Sequence, residues 1–351
     1  MRILFVAPGA EITDPNGSHM PFVRREADAL RALGHEVEIH GFDNRNYLKF
    51  IGECRQLRAA VKKFQPDVVH AQFGKFAALS AALSGRPLIV TFRGTDINHN
   101  AKYSRLRSIL GRGASQLAAC FARGIVFVSR EIEQKVLARR WCPTIVTPTG
   151  VDLNTFKPIA DARAKLGYSP GERIVLFNAG KNPEVKDPAL ARAALDFAAA
   201  HIGGIRFVSL DGTVRPEDVP LFMNAADALI LTSRTEGSPT VVQEAMACNL
   251  PVVSVDVGDV RERLAGVARC QVVPGRDPAA LGTALARVLA ERKRSDGRVH
   301  AAALDSAAVA KRLVDFYAAA LEWPACGART RRSGSSRRAS GSTSRSPSPR
   351  T

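Results

Sequence analysis

The feature that most constrains this chain is an alternation that occurs twice. The runs RILFVAP (2–8), EVEIHGF (36–42), DVVHAQF (67–73), LIVTFRG (88–94) and GIVFVS (124–129) are short and rich in β-branched and aromatic residues. Between them lie longer segments with apolar residues at helical spacing, such as PFVRREADALRALG (21–34). Short apolar runs alternating with helices predict a parallel sheet covered on both faces. The pattern then restarts with RIVLFNAG (173–180), IRFVSLDG (205–212), DALILTS (227–233), PVVSVDVG (251–258) and CQVVPG (270–275). The joint, PTGVDLNTFKP (148–158), is rich in turn residues and closed by proline. The expected fold class is α/β: two doubly wound, Rossmann-like domains, residues 1–155 and 156–305, facing across a cleft. Ligands of such sheets sit at the carboxyl ends of the strands, so the cleft is the expected site.

Composition agrees with this size of fold. A chain of 351 residues, 46% hydrophobic, can bury two cores. No apolar run reaches the roughly 18 residues of a membrane span. The start, MRILFVAPG, lacks the length and cleavage site of a signal peptide. Six scattered cysteines with no Cys-x-x-Cys disfavour disulfides and zinc and fit a reducing cytoplasm. The net charge of +17 is uneven. Residues 1–158 hold 23 Lys+Arg against 13 Asp+Glu, and residues 159–323 hold 20 against 20. The first domain is therefore expected to meet an acidic partner. Residues 306–323 read as an amphipathic C-terminal helix packing back on the first domain. Residues 324–351 form an Arg/Ser/Pro-rich tail with seven Arg and no acid. That tail is expected to be disordered, or to come from a shifted reading frame. It carries no aromatic residues for base stacking, which makes nucleic acid an unlikely partner.

The stretch SRTEGSPTVVQEAMACNLPVVS (233–254) follows a strand and holds Glu236 and Glu244. Ser238 reads as the N-cap and Pro239 as the first helical position, with Thr240 and Val241 next. Glu236 then lies in the loop and Glu244 about two turns into the helix. Between them is a helix N-terminus, whose free N–H groups favour an anion. Sugar, diphosphate and ribose of a nucleotide-sugar follow that layout.

At this point the sequence resembles a known family. EGSPTVVQEAMACNLPVVSVDVGDVRE is similar to the donor-site signature of family-4 retaining glycosyltransferases of the GT-B fold. PTGVDLNTFKP resembles their interdomain linker, and PDVVHAQFG and VTFRGTD resemble strands of their first domain. Within the family the chain loosely resembles bacterial surface-polysaccharide enzymes of the teichuronic-acid type. The resemblance implies that Glu236 contacts hydroxyls of the transferred sugar and that Glu244 binds the ribose. It implies that the backbone at Ser238, Thr240 and Val241 holds the distal phosphate. The family's Arg and Lys, five residues apart, correspond here to Lys181 and Lys186, and a lysine lacks the bidentate fork of arginine. Asn16 and Gly17 stand where relatives carry a Gly-Gly pair against the diphosphate or acceptor. Arg93 stands where many carry His. It cannot act as a base but can stabilise a leaving phosphate. Asp96 binds the acceptor or caps the next helix.

No Asp-x-Asp follows a strand, and fixed lysines can supply the charge a metal would give, so no metal and no cofactor are expected. The implied reaction moves a sugar from a nucleotide-diphosphate sugar to an acceptor hydroxyl, with retention, in cell-surface polysaccharide or glycolipid synthesis. Two alternatives remain open: a nucleotide-sugar epimerase on the same fold, and a non-catalytic module that binds a nucleotide-sugar. The expected place is the cytoplasm, with peripheral attachment to an anionic inner membrane face and a lipid-linked or saccharide acceptor. The segment 102–124 supports attachment: Lys102, Arg105, Arg107, Arg112 and Arg123 accompany Leu106, Ile109, Leu110, Leu117 and Phe121 at approximate helical spacing. A core helix with a solvated charged face is the other reading of that segment.

Overall fold

The computed structural model describes residues 1–9, 12, 20–43, 49–98, 105–180 and 183–323. The first domain is a six-stranded parallel sheet in the order β2-β1-β3-β4-β5-β6. Its strands are β1 (Arg2–Pro8), β2 (Glu36–Phe42), β3 (Val68–Ala71), β4 (Leu88–Phe92), β5 (Gly124–Phe127) and β6 (Thr144–Val146). The second sheet has the order β11-β10-β9-β7-β8. It comprises β7 (Ile174–Asn178), β8 (Arg206–Leu210), β9 (Ala228–Leu231), β10 (Val252–Val255) and β11 (Gln271–Val273). The ten expected strands are all present and paired in parallel. Sequence reading missed β6, a three-residue half-buried edge strand on β5.

Alternate residues of each central strand enter different cores. Leu4 and Val6 join the layer that contains Leu57, Val90 and Phe127. Ile3 and Phe5 join the opposite layer. Ile174 and Leu176 likewise divide from Val175 and Phe177. Burial on both faces is why these runs show no polar alternation.

The C-terminal helix Ser306–Glu322 belongs physically to the first domain. Its Val309, Leu313, Phe316 and Tyr317 pack with Ile3, Phe5, Ile89 and Val126. Gly124 permits the approach, since a Cβ there would lie 2.8 Å from the Phe316 ring. The chain therefore crosses between domains twice, and the crossings touch: Val151 N donates to Leu304 O, and Ser306 N donates to Val151 O, each at 2.9 Å. Tyr317 Oη pairs with the buried His70 Nδ1 at 2.7 Å, and His70 Nε2 pairs with Thr91 Oγ1 at 2.6 Å.

The helix Arg105–Cys120 packs in a way that spacing alone did not settle. Its small residues, Ser108, Gly111, Ala114, Ser115, Ala118 and Ala119, are the buried ones. Leu106, Ile109, Leu110, Leu117 and Phe121 are between 48% and 68% exposed. The helix does pack on the core, but through its small residues, whose face closes against the helix Lys75–Ala82. That close fit leaves the large apolar face outward. Lys102 and the tail 324–351 lie outside the described residues.

Candidate active site

The helix Thr240–Ala247 follows β9 and its loop and opens onto the cleft side of the second sheet. Its N-cap is Pro239, in extended conformation, with no side-chain cap. This corrects the expected cap by one residue. Ser238 Oγ instead donates to Asp259 Oδ2 at 2.8 Å and accepts from Gln243 Nε2 at 3.0 Å. Asp259 is held in turn by Arg263 Nε at 2.8 Å, and burial pushes its carboxyl pKa up despite that cation. Val241 is 2% exposed, and its side chain belongs to the core of the second domain.

Glu236 lies in the loop and accepts from Lys186 Nζ at 2.6 Å. The position of Lys186 follows from local chemistry. The short helix Pro183–Lys186 ends at Asp187, whose left-handed backbone and carboxylate cap the next helix, Pro188–Ile202. Thr232 Oγ1, at the end of β9, donates to both Lys186 O and Asp187 O at 2.9 Å. Arg276 then clamps Asp187 Oδ2 at 2.7 Å and the Thr232 and Ser233 carbonyls. The carboxyl ends of β7, β9 and β11 are thereby tied into one rim. Lys181, Asn16 and Gly17 lie outside the described residues.

Glu244 points across the cleft. Its Oε1 accepts from Arg25 Nη2 at 2.8 Å, from the helix Pro21–Ala32 of the first domain. The structure thus brings Glu236, Lys186, Ser238 and Glu244 to one face of the second domain, with a first-domain cation opposite.

Arg93 is deeply engaged. Nη2 pairs with Glu26 Oε2 at 2.9 Å, Nη1 donates to Thr149 Oγ1 at 2.6 Å, and Nε donates to Gln72 O at 3.1 Å. Nη2 also bonds Gln72 Oε1, and the Phe22 ring lies 4.9 Å from the guanidinium. The Arg93 and Glu26 side chains are 6% and 7% exposed. Burial acts to raise the Glu26 pKa, but the Arg93 charge, His70 and the Gln72 hydrogen bond hold it below the usual value. Asp96 is fully buried. Its carboxylate accepts from the backbone N–H of Gly74 and Gly94 at 2.9 Å and of Arg93 at 3.3 Å. It caps no helix and instead pins the loop after β4. That loop meets the second domain directly: a Cβ on Gly237 would stand 2.2 Å from Arg93 O. Only glycine permits this contact beside Glu236.

Arg25, Glu26 and Gln72 were missed from the sequence. Glu26 had a signal, because it falls in the apolar phase of its helix with Val23, Ala27 and Leu30. Arg25 had none, since its partner lies in the other domain. Among the described residues no cluster of His, Cys, Asp and Glu could hold a metal ion. Nor is any helix there long and apolar enough to cross a membrane.

Two facing parallel α/β domains, a returning C-terminal helix and a cleft lined by paired carboxylates and cations define a GT-B-type fold. Residues 159–291 match the family described as glycosyl transferases group 1, and residues 40–155 match glycosyltransferase family 4. The chain belongs to these family-4, group 1 glycosyltransferases. It is 26% identical over 267 residues to the putative teichuronic acid biosynthesis glycosyltransferase TuaC of Bacillus subtilis, covering 68% of this chain and 67% of that one. It is 30% identical over 215 residues to a D-inositol 3-phosphate glycosyltransferase of Geodermatophilus obscurus, covering 51% of this chain. The chain spans about half the length of that second relative, 48%. The fold is also that of Anabaena Alr3699/HepE in complex with UDP-glucose, with TM-score 0.69, 16% identity, and coverage of 91% and 99% of the two chains.

Proposed function

We propose that this chain transfers a sugar from a nucleoside-diphosphate sugar to an acceptor hydroxyl with retention of anomeric configuration. The observation that carries this reading is the pair of cleft carboxylates, Glu236 on Lys186 and Glu244 on Arg25, flanking the start of one helix. Glu244 takes the ribose diol, for which a charged carboxylate is a strong acceptor. Glu236 takes hydroxyls of the sugar. Lys186 and the backbone at Ser238, Thr240 and Val241 hold the diphosphate, and the family resemblance assigns Lys181, Asn16 and Gly17, which lie outside the described residues, to the same group. The acceptor oxygen bonds to the anomeric carbon, the bond to the phosphate breaks, and the departing phosphate oxygen takes the acceptor proton. Arg93 and Asp96 contribute by holding the loop that meets Gly237, through the bonds of Arg93 to Glu26, Thr149 and Gln72 and of Asp96 to three backbone N–H groups. UDP in a solved neighbour and the teichuronic acid relative support a uridine donor and a cell-surface glycan product.

The test is turnover across a panel of UDP- and GDP-sugars, with saccharide and lipid-linked acceptors, in excess EDTA. Sugar transfer that persists in EDTA is expected. Activity lost in EDTA and restored by manganese or magnesium would refute the assignment of the charge to lysines. Acceptor-free release of an isomerised sugar would favour an epimerase.

A cytoplasmic, peripheral membrane location completes the reading. It is supported by the outward apolar face of the helix Arg105–Cys120, with Arg105, Arg107 and Arg112 on the same helix. Inserting large apolar side chains yields up to about 1.5–3 kcal/mol each, and each basic residue near anionic lipid adds about 1 kcal/mol. A second copy is disfavoured as occupant of this face, since two-fold pairing would bring like charges together. The full chain should sediment with phosphatidylglycerol vesicles. Replacing Leu106, Leu110 and Phe121 by Ser should cut the bound fraction at least fivefold at high salt, where electrostatic attraction is screened. Vesicle binding unchanged by those substitutions would exclude this face, and no vesicle binding by the unsubstituted chain would leave a soluble acceptor as the better reading.

A further inference from the structure

The two carboxylates of the cleft are held differently. Lys186, the partner of Glu236, comes from the same domain, whereas Arg25, the partner of Glu244, comes from the opposite one. Arg25 occupies the second turn of the helix Pro21–Ala32, whose buried stripe is Val23, Glu26, Ala27 and Leu30. It lies off that stripe, and its side chain reaches Glu244 in the second domain. The guanidinium sits 5.5 Å over the ring of Phe156, in the interdomain linker. Burial acts to raise the pKa of Asp152 in the same linker, but the Thr155 and Asn154 hydrogen bonds, with a smaller contribution from the Arg25 charge, hold it below the usual carboxylate range. Arg25 thus touches the first domain, the linker and the second domain at once. Its side chain and that of Glu244 are 23% and 12% exposed, which weakens solvent screening of the pair.

This geometry bears on donor binding. A carboxylate recognises a vicinal diol only if its rotamer is fixed, and a free Glu on a short helix would sample several. Arg25 Nη2 engages Oε1 alone. Among the described residues no other hydrogen bond holds Glu244, so Oε2 and the second lone pair of Oε1 can accept from two hydroxyls. The bond also exists only when the domains are close. A ligand that needs Glu244 in this orientation therefore binds the closed arrangement better, and differential affinity of that kind is what shifts a domain equilibrium. Resting on the ribose assignment of Glu244, we propose that Arg25 is a positioning residue for the donor. It presents Glu244 to the ribose from across the cleft and so couples nucleotide affinity to domain closure.

The experiment is a double-mutant cycle read by calorimetry, with UDP and GDP as probes. Glu244→Gln and Arg25→Ala are each expected to weaken binding of the preferred nucleotide about tenfold, the loss of one charge-assisted contact. The double variant should bind no more than about twofold weaker than Glu244→Gln alone, because Arg25 acts through Glu244. Arg25→Lys should recover part of the affinity. In turnover, Arg25→Ala should raise the donor KM and leave kcat at saturating donor within about threefold, which general damage to the fold would not do. Wild-type affinity in Arg25→Ala, or additive losses in the double variant, would overturn the coupling while leaving the ribose assignment standing. Wild-type affinity in Glu244→Gln would overturn both.

Discussion

Glu236→Ala should lower kcat/KM for sugar transfer on the order of 100-fold or more, the usual cost of removing a group aimed at the reacting centre. The same variant should bind bare nucleoside diphosphate at least as well as the wild type. The reason lies in the 2.6 Å bond from Lys186 Nζ to Glu236 Oε1, between side chains each 17% exposed. Removing the carboxylate takes away the contact with the sugar and also frees Lys186 for phosphate oxygens. Turnover and nucleotide affinity should therefore move apart. Measuring both for Glu236→Ala, with Glu236→Gln as the isosteric control, checks this. Parallel losses in the two quantities would show that Glu236 serves the nucleotide or the fold and does not serve the sugar.

Arg93→Ala should destabilise the protein by about 3–5 kcal/mol, because it strands the buried carboxylate of Glu26 without its cation. The side chains are 6% and 7% exposed, and Gln72, Thr149 and Phe22 pack around them, so little water can replace the lost charge. Adding Glu26→Gln to Arg93→Ala should restore part of the loss, since a neutral amide is cheaper to bury. Chemical denaturation measures both, and an Arg93→Ala protein within 1 kcal/mol of wild type would contradict the network. The same cluster sets an acid sensitivity. Burial draws the His70 pKa from 6.5 to about 4. Below pH 6.5 the unfolded chain takes up a proton at this residue, and the folded chain does not do so until about pH 4. Stability is therefore full above pH 6.5 and falls between there and pH 4, by at most roughly 3 kcal/mol. Glu26, with a depressed pKa, loses its contribution lower, as pH falls below 4.5 through its folded value. The pH dependence of the thermal midpoint should show the upper step shrink in His70→Asn, leaving the smaller part that His35 and His40, both also held below the usual value, contribute.

The sequence by itself determined the two sheets, the linker and the glutamate-bearing helix. These rest on local signals: apolar runs too short for helices, turn residues at 148–158, and a loop of Gly237, Ser238 and Pro239 between an apolar run and a helical pattern. The edge strand β6 escaped because three half-buried residues carry no period. What tertiary structure alone decided is which neighbour each group meets. The helix Arg105–Cys120 has large apolar residues at helical spacing, yet it buries Gly111, Ala114 and Ala118, because the surface beside it accepts only small side chains. Ser238 serves Asp259 and leaves the cap to Pro239, because a buried carboxylate needs donors more than the helix end does. Arg93 was placed near the chemistry by motif, but its contacts with Glu26, Gln72 and Thr149 come from three separate segments that no local spacing pairs. Arg25 and Glu244 are 219 residues apart, and no periodicity spans that distance. Their meeting depends on how two finished domains close on one another, a property of packing between surfaces that local spacing does not encode.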